Sequence, residues 1–256
     1  MISILRNGGL LALSLGALSF NTPCNAQGAV NASIKEIGIQ LENGPTQLDR
    51  NAILASNTDW LFDFFAQKSY TYSPGAVINA NAATFPATVG NGLTMSWVTL
   101  GPCAMQPPHY HPRASNYIVS IHGNVQTYMI TENGAPLVTN LLTPGKMTLF
   151  PKGSLHAMQN TGNMLTRNPE EIDRGLTFLY HTIGCDNVTL VSALGTEDPG
   201  THNVANGLFN LPHDMVAAAF GSNHNLNLTD AMKSIPPVGA GVALGSSTCR
   251  AQCNIQ

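Results

Sequence analysis

Residues 145–160 read GKMTLFPKGSLHAMQN, and residues 107–111, some forty positions upstream, read PPHYH. In an extended strand residues i and i+2 point to one face, so His109 and His111 project together while Tyr110 faces away. Two imidazoles about 6–7 Å apart along one face can hold a single metal ion. Taken alone, such a pair is more often a surface His-x-His with no ligand. His156 changes that weighting, because it stands in a frame of turn residues, Gly145-x5-Pro151-x-Gly153-x2-His156-x3-Asn160. The strand Lys146–Phe150 ends at Pro151, and His156 follows after a tight turn.

Outward from this frame the chain reads as a single run of short strands. From about Ala76 to Leu194, β-rich segments alternate with turn residues. The segments are Leu93–Leu100, Tyr117–Ile121, Val125–Ile130, Lys146–Phe150 and Val188–Ala193. His122-Gly123-Asn124 makes one tight turn, and Asn133-Gly134 closes the next run as a hairpin. Regular strands at this spacing indicate a sandwich or barrel. After Asp198-Pro199-Gly200 the pattern changes, and Val204–Phe209, Pro212–Phe220 and Leu228–Lys233 read as short helices. Charged residues make up only 10% of the 256 positions and form no basic run, which excludes a nucleic-acid groove.

Residues 1–26 read as a signal peptide: Arg6, the apolar run Gly8–Phe20, then Cys24-Asn25-Ala26 with small residues at the cleavage positions. That run is shorter than the roughly 20 residues a bilayer span requires, so no membrane association is expected. Secretion places Cys103, Cys185, Cys249 and Cys253 in an oxidising compartment, where they allow two disulfides in three connectivities. The C-x3-C spacing of Cys249 and Cys253 suits a small local loop, leaving Cys103 with Cys185 as the preferred long-range pair. A zinc knuckle is the alternative, but the spacings match no zinc-ligand pattern. Sequons at Asn31, Asn187 and Asn227 are candidate glycosylation sites; Asn187 borders a predicted strand and is the least expected to be used.

The segment 145–160 matches the second cupin motif, G-x5-P-x-G-x2-H-x3-N, at every fixed position. Residues 109–123, HYHPRASNYIVSIHG, resemble the first motif, H-x-H-x3,4-E-x6-G, with His109, His111 and Gly123 in place. The chain resembles a germin-like cupin of the spherulin-like secreted branch, over roughly residues 35 to 225. SNTDWLFDF at 56–64 and EDPG at 197–200 fit that branch as well. The resemblance implies an all-β double-stranded β-helix (a jelly-roll barrel) in one domain, residues 27–256. Its core would span about 75–195, with an N-terminal extension and a short C-terminal helical segment at 200–235. It implies a manganese site of three His and one Glu, a germin activity such as oxalate oxidase or superoxide dismutase, and a homo-oligomer. The spherulin branch also carries a different reading, a metal-free cell-wall or sporulation-associated structural protein.

The chain departs from the motif at one position. Where the family has Glu, this sequence has Asn116, a neutral carbonyl donor. The expected metal ligands are therefore His109, His111 and His156, with Asn116 as a weak fourth. A divalent ion held by neutral ligands keeps its full 2+ charge, which weakens manganese binding and disfavours oxidation to the trivalent state. Zinc or copper suits three imidazoles equally well. The redox activities of germins are disfavoured accordingly, and the metal is expected to hold a small anionic or oxygen-bearing molecule.

Other candidates read as structural. His122 shares a strand face with Asn116, Ile118 and Ser120 and is expected at the cavity rim. His181, His202, His213 and His224 have no ligand-spaced partner. Asp63, Glu170, Glu171 and Asp173 have nothing to bring them to the His cluster. Met105, Met147 and Met158 read as barrel-interior filler. Residues 163–184 form a charge-rich insert between the second motif and the strand that follows it in similar sequences, read as a retained intron or a surface loop beside the pocket.

Overall fold

The computed structural model describes residues 32–161, 185–221, 228–236, 239 and 241–255. The signal segment, Asn31, Asn227, His181, His224 and the insert 163–184 with its Glu170, Glu171 and Asp173 lie outside the described residues.

Two helices that the sequence reading did not resolve open the described chain, α1 (Ala32–Asn43) and α2 (Gln47–Ile53). Thr46 caps α2 reciprocally: its hydroxyl accepts from the Asp49 amide and its own amide donates to the Asp49 carboxylate. Leu41 and Leu54 from this segment are buried against Ala87 and Val89, a small apolar cluster separate from the main core.

The strands follow as β1 (Gly75–Ala80), β2 (Thr94–Leu100), β3 (Ala104–Tyr110), β4 (Asn116–His122), β5 (Val125–Ile130) and β6 (Val138–Leu142). After them come β7 (Met147–Phe150), β8 (Leu155–Gln159), β9 (Val188–Leu194) and the two-residue β10 (His202–Asn203). Helices α3 (Val204–Leu208), α4 (His213–Ala219) and α5 (Leu228–Ser234) come next, then β11 (Ala243–Leu244) and α6 (Ser247–Gln252). Every strand run read from the sequence is present within two residues of its expected ends, as are the three helices after residue 203.

The strands form two antiparallel sheets, β1-β2-β9-β4-β7 and β10-β3-β8-β5-β6, with β11 added along β3. From β2 to β5 and again from β6 to β10 successive strands alternate between the sheets, while β1–β2 and β5–β6 pair within one, the jelly-roll arrangement of the cupin fold. Val98, Leu100, Ile118, Val125, Phe150, Met158 and Leu190 fill the space between the sheets, each 2% exposed or less. At about 25 cal/mol per Å² of apolar surface this shared core is the main stabilising term.

Two motif residues have structural explanations. A Cβ at Gly123, where φ is +75°, would lie 2.7 Å from the Val188 Cγ2 and 2.9 Å from the Asn187 carbonyl oxygen. Only glycine fits that turn. Asn160 is buried, and its Nδ2 reaches the carbonyl oxygens of Gly101 at 2.8 Å and Asp186 at 2.7 Å, tying three chain segments at the barrel end.

Two sequence expectations are corrected. The disulfides join Cys103 to Cys249 and Cys185 to Cys253, not Cys103 to Cys185 and Cys249 to Cys253. Cys249 lies in α6 and Cys253 is its C-cap, one helical turn further on. Side chains at i and i+4 stand side by side on one helix face, so both sulfurs reach outward to other segments rather than to each other. Met147 is 60% exposed, because strand alternation in β7 turns Met147 and Leu149 outward and Phe150 inward. Met158 fills the interior as expected, and Met105 is half-buried.

Candidate metal centre

The pairing of β3 with β8 places His109 directly opposite His156. Pro107 and Pro108 have no N–H to give the ladder, and the register shifts between Gln106 and His109. His111 follows β3 on the same face, so three imidazoles from two hydrogen-bonded strands converge. Their ring centroids lie 4.3 Å apart for His109–His156, 5.2 Å for His109–His111 and 5.4 Å for His111–His156. One ligating atom of each lies within 4.8 Å of the others. The rings are 3%, 8% and 2% exposed for His109, His111 and His156, respectively.

Each imidazole is aimed by a backbone carbonyl. The Nδ1 of His109 donates to the Pro107 oxygen at 2.7 Å, that of His111 to the Gly200 oxygen at 2.6 Å, and that of His156 to the Ser154 oxygen at 2.9 Å. A carbonyl only accepts, so all three rings carry their proton on Nδ1 and turn a lone pair outward from Nε2. Phe150 stacks on His156 with centroids 4.2 Å apart and planes 11° from parallel, fixing that ring from behind. The His156 Nε2 is buried and has no hydrogen-bond partner among the described residues. An unsatisfied buried lone pair facing two others is costly in an apolar core and is what a metal ion satisfies. The residues present therefore fit the metal that the fold family implies.

Burial keeps the rings neutral. His109 is lowered to about 4 by desolvation and by the neighbouring His111. His156 is lowered to about 2 by desolvation and then by His109, and His111 is lowered by burial as well. Neutral imidazole is the ligating form, so the site is ready for a metal well below physiological pH.

Asn116 enters from β4 in the opposite sheet, 5% exposed, and lines the same cavity as His109 and His111. Its Oδ1 accepts a hydrogen bond from the Ser192 hydroxyl on β9. The cavity is small, about 50 Å³, and among the described residues none that line it carries a formal charge. Gln106, Ser96 and Thr201 contribute neutral polar groups to its walls.

The remaining histidines of the described chain stand apart. His122 is exposed at the end of β4, His202 stacks on Tyr110 at 4.9 Å outside the cavity, and His213 is exposed at the start of α4. Asp63 accepts from the amides of Phe65 and Ala66 in a local turn. Asn187 is exposed in the loop before β9, with the sequon's Thr189 buried inside the strand.

The sequence did not disclose the supporting groups. The 197–200 segment, noted only as a family marker, turns out to buttress His111. Gly200 supplies its carbonyl, Arg113 bonds the Asp198 carboxylate and backbone oxygen at 2.7 Å each, and the Glu197 carboxylate accepts from the amides of Gly90 and Gly92. The Gly153 amide donates to the His111 oxygen at 3.0 Å, locking the β7–β8 turn to the same residue.

Residues 63–166 match the Cupin family. Spherulin-1B of Physarum polycephalum is 28% identical over 227 residues, covering 88% of this chain and 81% of its own. Germin-like protein subfamily T member 2 of Arabidopsis thaliana is 32% identical over 154 residues, 58% of this chain and 70% of its own. A solved oxalate oxidase in complex with the substrate analogue glycolate superposes with a TM-score of 0.53 at 19% identity, over 69% of this chain and 79% of that one. At that identity the superposition speaks to the fold, and the fold it shares is the one assembled above from β1–β11. With the histidines of both motifs on neighbouring antiparallel strands of a jelly roll, the chain belongs to the cupin family, in its germin- and spherulin-like branch.

Proposed function

We propose that this chain is a secreted cupin that holds a divalent metal through the Nε2 atoms of His109, His111 and His156 and presents it to a small anionic or oxygen-bearing molecule. The observation that carries this reading is the buried, unpartnered His156 Nε2 among three rings whose Nδ1 protons are all committed to backbone carbonyls. The bound metal would supply Lewis acidity, or a fixed positive charge as an anchor. The chain's own residues exclude water with Phe150 and Ile118, hold the imidazoles neutral by burial, and offer neutral hydrogen-bonding groups from Gln106, Asn116 and Thr201 to whatever enters.

Manganese follows from the family resemblance, and the uncharged site argues for zinc or copper as rivals. With no carboxylate among the described residues of the cavity wall, a resident ion keeps its 2+ charge, which opposes loss of a further electron. Oxalate oxidase and dismutase chemistry are disfavoured for that reason. Two disulfides support an oxidising, extracellular or cell-wall location.

The test is elemental mass spectrometry on the purified protein beside a His109→Ala/His156→Ala variant. Near-stoichiometric metal in the parent and none in the variant is expected. A parent protein without metal overturns the proposal and favours a purely structural wall or sporulation protein.

A further inference from the structure

The cavity holds one buried polar side chain whose two ends are treated differently. Asn116 on β4 and Ser192 on β9 are diagonal neighbours on the inner face, since Asn116 pairs with Leu194 and Ile118 with Ser192. Ser192 is 2% exposed, and its hydroxyl donates to the Asn116 Oδ1. The amide's carbonyl end is thereby turned toward the sheet. Its nitrogen, on the other branch, makes no hydrogen bond within the described protein, although the side chain is 5% exposed and lines the cavity beside His109 and His111. Its two N–H groups are thereby left to whatever occupies the cavity, water or a ligand with an acceptor atom.

We infer that Asn116 is not a metal ligand but a hydrogen-bond donor to the exogenous ligand of the metal, a small oxyanion such as a carboxylate, and that Ser192 is the positioning residue that holds it in this role. This rests on the proposed three-histidine metal site. Among the described residues the cavity lining carries no negative group, so the charge that a glutamate would bring to a dication is supplied by the ligand. An incoming oxyanion meets an N–H rather than a competing carboxylate, and a charged acceptor makes that hydrogen bond stronger than a neutral one. The volume accommodates a molecule of a few heavy atoms.

The experiment loads the protein with cobalt(II) and titrates it with formate, following the visible d–d absorption. Asn116→Asp retains an acceptor for Ser192 but removes the donor and adds negative charge. Cobalt affinity is expected to be equal or higher, and formate affinity to fall at least about tenfold. Ser192→Ala frees the amide and is expected to weaken formate about threefold or more with cobalt affinity unchanged, while Ser192→Thr, which keeps the hydroxyl, restores it. Retained cobalt affinity shows in each case that the site is folded. Formate binding at parental strength in Asn116→Asp overturns the inference. So does an Asn116→Ala variant that loses cobalt as severely as His109→Ala, since that would make the amide a ligand. A parent protein that takes up no cobalt fails earlier, before formate is added, and overturns the metal site itself together with this inference.

Discussion

Acid should unfold the metal-free protein through its own binding site. His109 and His156 are held neutral by burial, with His109 lowered from 6.5 to about 4 and His156 to about 2. The unfolded chain takes up protons near pH 6.5 that the folded chain refuses, so stability is complete above pH 6.5 and declines as the pH falls toward 4. Each such group costs about 1.4 kcal/mol per pH unit across that window. At pH 5, 1.5 units below the unfolded value, His109 and His156 together remove roughly 4 kcal/mol, with His111 adding in the same direction. That is a large part of the roughly 5–15 kcal/mol that holds a domain folded. The assay is urea unfolding of chelator-stripped protein at pH 7.5 and pH 5, compared with a His156→Gln variant in which about 2 kcal/mol of the drop should disappear. Equal midpoints at the two pH values in the stripped parent would refute the reasoning, because the rings would then be protonated in the fold at little cost.

Three further outcomes are expected. Arg113→Ala breaks an exposed ion pair, 52% and 58% accessible at its two partners, so stability should change by less than about 1 kcal/mol. Metal affinity should nonetheless fall about tenfold by calorimetry as Gly200 loosens behind His111, and the swapped pair Arg113→Asp/Asp198→Arg should recover it. Cys249→Ser opens a crosslink spanning 146 positions and should lower stability by about 2–5 kcal/mol, more than Cys253→Ser, whose crosslink spans 68, in denaturant titrations. Gly123→Ala should destabilise by at least about 1 kcal/mol in thermal melts, since the added methyl meets Val188 and the Asn187 carbonyl in a backbone with φ of +75°.

The barrel and its histidines were legible because their signals are chemical identities at fixed spacing. Pro151 and Gly153 force the turn that brings His156 opposite His109, and prolines, glycines and histidines announce themselves in a sequence. The supporting contacts are not legible, because Pro107, Ser154 and Gly200 act through carbonyl oxygens that any residue could supply. Helix α6, at six residues, is too short for its periodicity to show, and reading it as a loop led directly to the wrong disulfide pairing. Alternation in β7 sorts its side chains into two faces but does not say which face is covered, which is why Met147 was assigned to the interior. Ser192 sits 76 residues from Asn116, and only strand register brings them together.

The use of main-chain oxygens behind all three imidazoles has an evolutionary consequence. A carboxylate that orients a ligand histidine can be lost in a single codon change; a carbonyl cannot, because no substitution at Pro107, Ser154 or Gly200 deletes it. The aim of the histidines is thus inherited with the path of the chain rather than with any side chain. Such a scaffold lets the fourth position drift, from an acid to an amide or beyond, without blunting the rest of the site. A lineage could try new metals and new ligands by changing residue 116 alone, keeping the other three coordinates of the problem fixed.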